Sequence, residues 1–335
     1  MPKLILFIRK EQRIMANRYA CITGFMGAVK DRFIDYQPAR SMEEMVAMAS
    51  KVKGCSGLEV VYPQNFSDPI SVRKLLENNG LQAAIVNLNT KGEKIFRFGS
   101  FSSPNPEARK RAVQMLKTAM DAAAELGCYK VTTAQLTDGA DYPFELDYLR
   151  AWNDAVACVQ EAASYRKDVQ VCLEYKTSEP RAHCLLGNAG KMAAFCEQVG
   201  LENVGVTLDV GHALQCGEIP ADSLCFLSAM KRLFYVHIND NYRNWDWDMI
   251  PGTINLWDYI EFAFYLRQVG YDGWITADVF PQRYDPIKTM TKTFEWMDYI
   301  FETADRIDLH TLKAMQNEKD GIDILDYIRN VVFQK

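Results

Sequence analysis

The sequence predicts a single (β/α)8 TIM barrel, and three observations carry the prediction. Short apolar, β-branched runs alternate with segments of helical period eight times between Arg18 and Asp305. The last four runs each close on a side chain that can hold a metal ion: Glu174, Asp209, His237 and Asp278. No G-x-G-x-x-G turn follows the first run, which argues against an open, doubly wound nucleotide-binding sheet. At 335 residues and 48% hydrophobic content, the chain exceeds one barrel, whose usual length is roughly 250 residues. An N-terminal extension at 1–17, the barrel at 18–305 and a helical tail at 306–335 account for the whole.

The elements follow in order. RYACITG, from Arg18, is the first strand, and Ser41 with Glu44 three residues on makes a capping box for a helix over 41–53. Strand two is 57–63 and its helix 69–79; strand three is 83–90. A long loop at 91–106 leads to a long helix over 107–126. Strand four, 129–136, is followed by a loop at 138–143 and a helix over 146–165. Strand five runs from 169 to 174, with a helix at 188–199. Strand six is VGVTLDV, with a helix at 221–230. Strand seven is FYVHIND, then a polar aromatic loop at 241–251 and a helix at 256–269. Strand eight is 273–280 and its helix 286–304. An amphipathic segment at 322–332 in the tail is expected to pack on the barrel exterior or on another subunit. The opening MPKLILFI reads as an extra strand or as a start upstream of the first true strand, since RKEQR follows it with no small-residue cleavage site.

Composition excludes several function classes. The net charge of −5 is mild, and no basic cluster tracks a phosphate backbone, so a nucleic-acid partner is not expected. No apolar run approaches the eighteen or so residues of a membrane span. The nine cysteines lack C-x-x-C spacing, and Cys158, Cys172 and Cys225 lie inside apolar runs. They read as small core residues in a reducing, cytoplasmic setting.

In a parallel barrel the C-terminal strand ends converge on one mouth, so Glu174, Asp209, His237 and Asp278 are expected to meet. Each has a blander reading alone: an Asp at a strand end caps the next helix, and a His on a strand is a satisfied core residue. Four at equivalent ends of strands five to eight point to a metal site. Three carboxylates and one imidazole suit a single divalent ion, Mn²⁺ first, with Mg²⁺, Co²⁺ or Zn²⁺ as alternatives, and the lack of a thiolate argues against structural zinc. With a side-chain period of two, Glu174 and Lys176 project to the same side. Lys176 and Arg181 are candidates to hold a substrate oxygen or anionic group. His212, three residues after Asp209, and Asn239, two after His237, are further substrate candidates, as are Arg243 and Asn87. Arg243 and Asp248 read equally well as a solvated loop pair. Glu59, Asn89 and Gln135 lie on earlier strands, and Trp245 and Trp247 suit either a sugar face or packing over the mouth.

The motifs LEYKxSEPR, GVTLDVGHA, HINDNYRxWDWDMxPG and GYDGWxxxDVFPxR resemble the xylose isomerase-like barrel superfamily, in its sugar isomerase and epimerase branch. The resemblance runs from about Arg18 to Asp285 and is specific for fold and metal, much less for substrate. It implies that Glu174, Asp209, His237 and a second acid, here Asp278, hold the metal. The second acid is commonly Glu, so Asp278 is one methylene short of the pattern.

The resemblance implies a sugar isomerase or epimerase that acts on a keto sugar by α-proton transfer through a metal-stabilised enediolate. Glu174 is the expected base and Asp278 the second acid/base on the opposite face. Two alternatives remain open. One is the large subunit of a C-glycoside deglycosidase, which eliminates an aglycone from a 3-keto sugar beside a small companion subunit. The other is a sugar-binding protein without turnover. A homo-oligomer is expected in either enzymatic reading.

Overall fold

The computed structural model describes residues 17–66, 68–179, 182–318 and 320–333. The opening segment, apart from Asn17, lies outside them, as does Arg181. Eight parallel strands close into a barrel in which each pairs with its sequence neighbours. They are β1 (Arg18–Ile22), β2 (Cys55–Tyr62), β3 (Gln82–Leu88), β4 (Lys130–Ala134), β5 (Gln170–Glu174), β6 (Val204–Asp209), β7 (Leu233–Ile238) and β8 (Trp274–Ala277). The barrel closes where β1 pairs with β8, from Arg18 against Trp274 to Cys21 against Ala277. Every β-to-β connection carries a helix, as a parallel pair requires.

The outer helices are α1 (Met42–Ala49), α2 (Pro69–Asn78), α3 (Pro106–Leu126), α4 (Tyr148–Ser164), α5 (Ala189–Val199), the short α6 (Val210–Gln215), α7 (Pro220–Ala229), α8 (Leu256–Gln268) and α9 (Pro286–Asp305). The tail folds as α10 (Leu309–Glu318) and α11 (Gly321–Phe333). Their starts are chemically marked. Ser41 and Glu44 form the reciprocal capping box of α1, Asn105 caps α3 ahead of Pro106, and Asp285 caps α9 ahead of Pro286. Gly127 and Gly200 end α3 and α5 in the left-handed region, where a Cβ would be strained.

Three expectations are corrected. The first helix stops at Ala49, not 53, because Ser50 to Gly54 form turns that lead into β2. The last strand stops at Ala277, leaving Asp278 just beyond it. One helix was not expected, α6, because six residues are too few to show a period. Two short antiparallel ribbons also frame the mouth: Val29–Lys30 with Asp35–Gln37, and Gly139–Ala140 with His183–Cys184.

Two buried layers hold the barrel. Outside, apolar faces of the helices cover the strands in one continuous cluster, with Leu116, Phe195, Phe262, Phe294 and Phe301 almost fully buried. Inside, Ala20, Ala84, Ile85, Cys172, Tyr235 and Trp274 plug the N-terminal end. Gly57 makes room for that plug, since a Cβ there would stand 2.6 Å from the Trp274 ring. Cys172 is therefore a core residue below Glu174, as its place in the run implied, and all nine cysteines are free thiols. Above the plug the interior turns polar, with Thr132 and Thr207 sharing a 2.8 Å hydrogen bond.

The loops that build the mouth are pinned by one buried carboxylate. Asp138 accepts from Ser100 N at 3.0 Å and from Ser102 N and Oγ, each at 2.6 Å, with Ser100 Oγ also donating to it. Its own carbonyl accepts from Leu185 N at 2.7 Å, tying the β3, β4 and β5 loops together. Removing the carboxylate strands buried donors, whose desolvation costs about 1–3 kcal/mol. Asp138→Ala is expected to lower the unfolding free energy by about that much, read as a shifted midpoint in denaturant. An unchanged midpoint would show that this clasp carries no stability.

Candidate metal centre

Register sets the height of each ligand. Glu174 ends β5 level with Thr207, and Asp209 ends β6 two residues further on, level with His237 of β7. His237 in turn faces Thr276 of β8, and Asp278 lies two residues beyond. The backbone N–H of Asp278 donates to the Ile238 carbonyl at 3.2 Å, which draws this position toward β7. The shorter side chain therefore reaches: Asp278 Oδ2 lies 3.5 Å from His237 Nδ1. The same Nδ1 is 3.2 Å from Glu174 Oε1 and 3.7 Å from Asp209 Oδ2.

One ligand atom from each of the four residues lies within 4.8 Å of all the others. Donors about 2.1 Å from a shared ion stand about 3–4 Å apart, so the separations suit one divalent cation. The chemistry of the set suits it too. Asp209 and His237 are fully buried, Glu174 is 5% exposed and the Asp278 side chain 18% exposed. Carboxylates packed this closely, away from water, need a cation to offset their repulsion.

The titration behaviour reflects that crowding. Burial pushes the Asp278 carboxyl up to about 8, with Asp209 and Glu174 adding to the effect and His237 opposing it. Glu174 is also desolvated, yet His237, His212 and Lys176 outweigh burial and lower it to about 2. Burial disfavours the His212 imidazolium, but Asp209 and Asp246 reverse this and raise it to about 9. Burial and neighbouring charge thus push Glu174 and Asp278 in opposite directions.

A charged chain extends from the cluster. Asp209 both ends β6 and caps α6, its Oδ1 accepting from His212 N at 2.8 Å. The cap brings the His212 ring over the site, with Nδ1 3.2 Å from Glu174 Oε1 and Nε2 3.2 Å from Asp246 Oδ2. Asp246 also accepts from Lys176 Nζ at 2.6 Å, and Glu179 holds the same ammonium at 2.5 Å. Lys176 is 6% exposed and spends two of its donors on these carboxylates.

The other sequence candidates are placed as follows. Asn239 is fully buried and donates to both Asp209 oxygens, at 3.0 and 2.8 Å, so it orients a ligand. Asn87 donates to Glu59 Oε1 at 2.6 Å. Arg243 binds Asn255 Oδ1 at 3.1 Å and Asp258 Oδ1 at 2.8 Å at the start of α8, away from the four ligands. It does not pair with Asp248, whose carboxyl is pushed well up by burial and by Asp246 and Asp278. One contributor has a role that only the fold supplies. Glu59 of β2 meets His237 Nε2 at 2.8 Å; its signal was a charge inside an apolar strand.

Two predictions follow from this geometry. Because Asp278 is raised to about 8, it holds a proton over part of the neutral range, and a cation must displace it. Affinity for Mn²⁺ is expected to rise with pH up to about 8, with proton release measurable by calorimetry in buffers of different ionisation enthalpy. The second concerns Gly211, where a Cβ would overlap Asn239 Oδ1. Gly211→Ala is expected to displace Asn239 from Asp209 and weaken metal binding about 10–100-fold, the usual cost of losing a ligand's support.

The chain's likeness to known proteins agrees with this architecture. Residues 46–300 match the family model described as the xylose isomerase-like TIM barrel. The xylose isomerase of Thermus thermophilus is 26% identical over 207 residues, 60% of this chain and 54% of that protein, so the chain spans about half that relative's length. Among solved structures, an L-ribulose 3-epimerase superposes with a TM-score of 0.69 at 18% identity, over 91% of this chain and 99% of that one. A D-allulose 3-epimerase from Methylomonas sp., in complex with D-allulose, gives 0.66 at 21% identity, over 84% and 96%. With the barrel, the strand-end ligands and the matched span in agreement, this chain belongs to the xylose isomerase-like TIM barrel family.

Proposed function

We propose that the protein is a divalent-metal-dependent isomerase or epimerase of a keto sugar, working by transfer of a proton α to the carbonyl. The observation that carries the reading is the buried four-donor cluster of Glu174, Asp209, His237 and Asp278 at the strand ends of one barrel mouth. A divalent ion held there supplies a Lewis acid that polarises a carbonyl and stabilises the charge left when the neighbouring C–H is deprotonated. Mn²⁺ is the proposed ion, on the oxygen-rich donor set.

The side chains divide the remaining work. Glu174 takes the α-proton, and Asp278, on the opposite face, serves as the second acid/base. Epimerisation uses both faces of the carbon, while isomerisation uses one group to move a proton between adjacent carbons. Gln135 Nε2 is a buried polar atom without a hydrogen-bond partner among the described residues, and it and His212 are proposed to bind sugar hydroxyls. Lys176 holds Asp246 and, through it, His212. Arg181 keeps its proposed role as an anchor for a substrate oxygen.

A second reading has its own observation. A cleft of about 1000 Å³ beside the mouth is lined by Tyr242, Trp247, Phe280 and Tyr284, and by Val279, the residue after Asp278. Its aromatic wall suits a substrate larger than a free monosaccharide and supports elimination of an aglycone from a 3-keto glycoside, with a small companion subunit. The same proton abstraction serves both reactions.

No helix among the described residues is long and apolar enough to cross a membrane. A cytoplasmic location is proposed on the nine free thiols. Self-association is proposed on the exposed Ile322, Leu325 and Phe333 of α11.

The reading is tested by solvent exchange. Metal-loaded protein incubated with free ketoses in D₂O is expected to place deuterium on carbon, and Glu174→Gln to slow this by about 10²–10⁴-fold, the range for a lost general base. Exchange confined to 3-keto glycosides, with aglycone release, would favour the second reading. Sugar binding with no exchange on any substrate would leave a binding protein and sink both.

A further inference from the structure

We propose that Glu59 is a positioning residue for the metal centre, holding His237 in the tautomer that presents Nδ1 to the cation. The inference rests on the metal-site reading above. Glu59 belongs to β2 and His237 to β7, and their contact spans the barrel interior. Glu59 Oε2 lies 2.8 Å from His237 Nε2, and both side chains are fully buried. The second carboxylate oxygen accepts from Asn87 Nδ2 at 2.6 Å, so both oxygens are fixed. Among the described residues no Lys or Arg pairs with Glu59. A fully buried carboxylate without a fixed cation is costly unless its partner needs it.

The imidazole explains why it is there. Nδ1 faces Glu174, Asp209 and Asp278, and to bind a cation it must offer a lone pair. The ring's proton then sits on Nε2, where Glu59 accepts it. A carboxylate behind a ligating histidine fixes ring and tautomer together and strengthens the ring as a donor. The Tyr235 ring packs edge-on against the imidazole at 5.4 Å, which leaves the hydrogen bond to Glu59 to set the ring's orientation. Asn87, on the neighbouring strand β3, is the next link: it holds Glu59, which holds His237.

The test uses chelator-stripped full-length protein and Mn²⁺ titrated calorimetrically. Glu59→Leu is expected to weaken Mn²⁺ binding about 10–100-fold, the cost of an outer hydrogen-bond partner. Glu59→Gln, which keeps an acceptor, is expected to recover most of the loss. A merely structural role would lower the melting temperature of both variants and leave affinity unmoved, and that result overturns the inference while sparing the metal site. Absence of Mn²⁺ binding in the wild type would sink the metal site and the inference together. Should the Leu variant not fold, ¹⁵N-histidine NMR of the Zn²⁺-loaded wild type decides. A proton on Nε2 of His237 with Nδ1 metal-bound supports the assignment, and the reverse tautomer overturns it.

Discussion

The constraint on which the site depends is the cost of packing several carboxylates around one imidazole where water does not reach. In the interior of a protein, like charges this close cannot all stay ionised, and they separate into groups that hold protons and groups that do not. Glu174 and Asp278 are pushed in opposite directions although each lies near the same His237 Nδ1. The difference comes from their neighbours. Glu174 has His212 and Lys176 beside it, whereas Asp278 has Asp209, Glu174 and Asp246 beyond His237. The proposed binding of a dication and transfer of a proton call for this asymmetry.

The barrel supplies the crowding at little conformational cost. Strand ends are fixed by ladders on both sides, so the ligands on β5 to β7 are aimed by backbone that is rigid before any ion arrives. Supporting contacts then remove the remaining freedom: Asn239 on Asp209, Glu59 on His237, His212 beside Glu174. The helix cap formed by Asp209 shows how closely local structure and chemistry are joined. One carboxylate oxygen starts α6, and the other faces the imidazole. The structural and the functional readings of a strand-end Asp are both true of this residue.

Much of this was legible because the signals are local and periodic. Eight runs with intervening helical segments announce the barrel, and a charged residue closing an apolar strand announces a ligand. The supporting groups were less legible, since their meaning lies in contacts between distant strands. Glu59 and His237 are separated by 178 residues, and nothing near Glu59 in sequence says what it faces. Asn87 and Asn239 were visible as polar residues on strands, but only the fold shows that they brace carboxylates. Arg243 illustrates the opposite failure. A cation in a loop after a ligand strand looks like a substrate contact, yet its backbone adopts a positive φ of 64° and its guanidinium goes to Asp258.

Asp278 brings these strands of argument together. Relative to the Glu that its family commonly carries, it is short by one methylene, and a shorter acid reaches the cluster only if its backbone moves closer. Strand β8 ends at Ala277, one residue before Asp278, and the N–H of Asp278 donates across to the Ile238 carbonyl of β7. That bond places the carboxylate beside His237, at the more open edge of the cluster, with its side chain 18% exposed. Asp278 is thereby the most open of the four, while Asp209 and His237 are fully buried. The shortening is thus compatible with ligation and with proton transfer, because the backbone has supplied the reach that the side chain lacks.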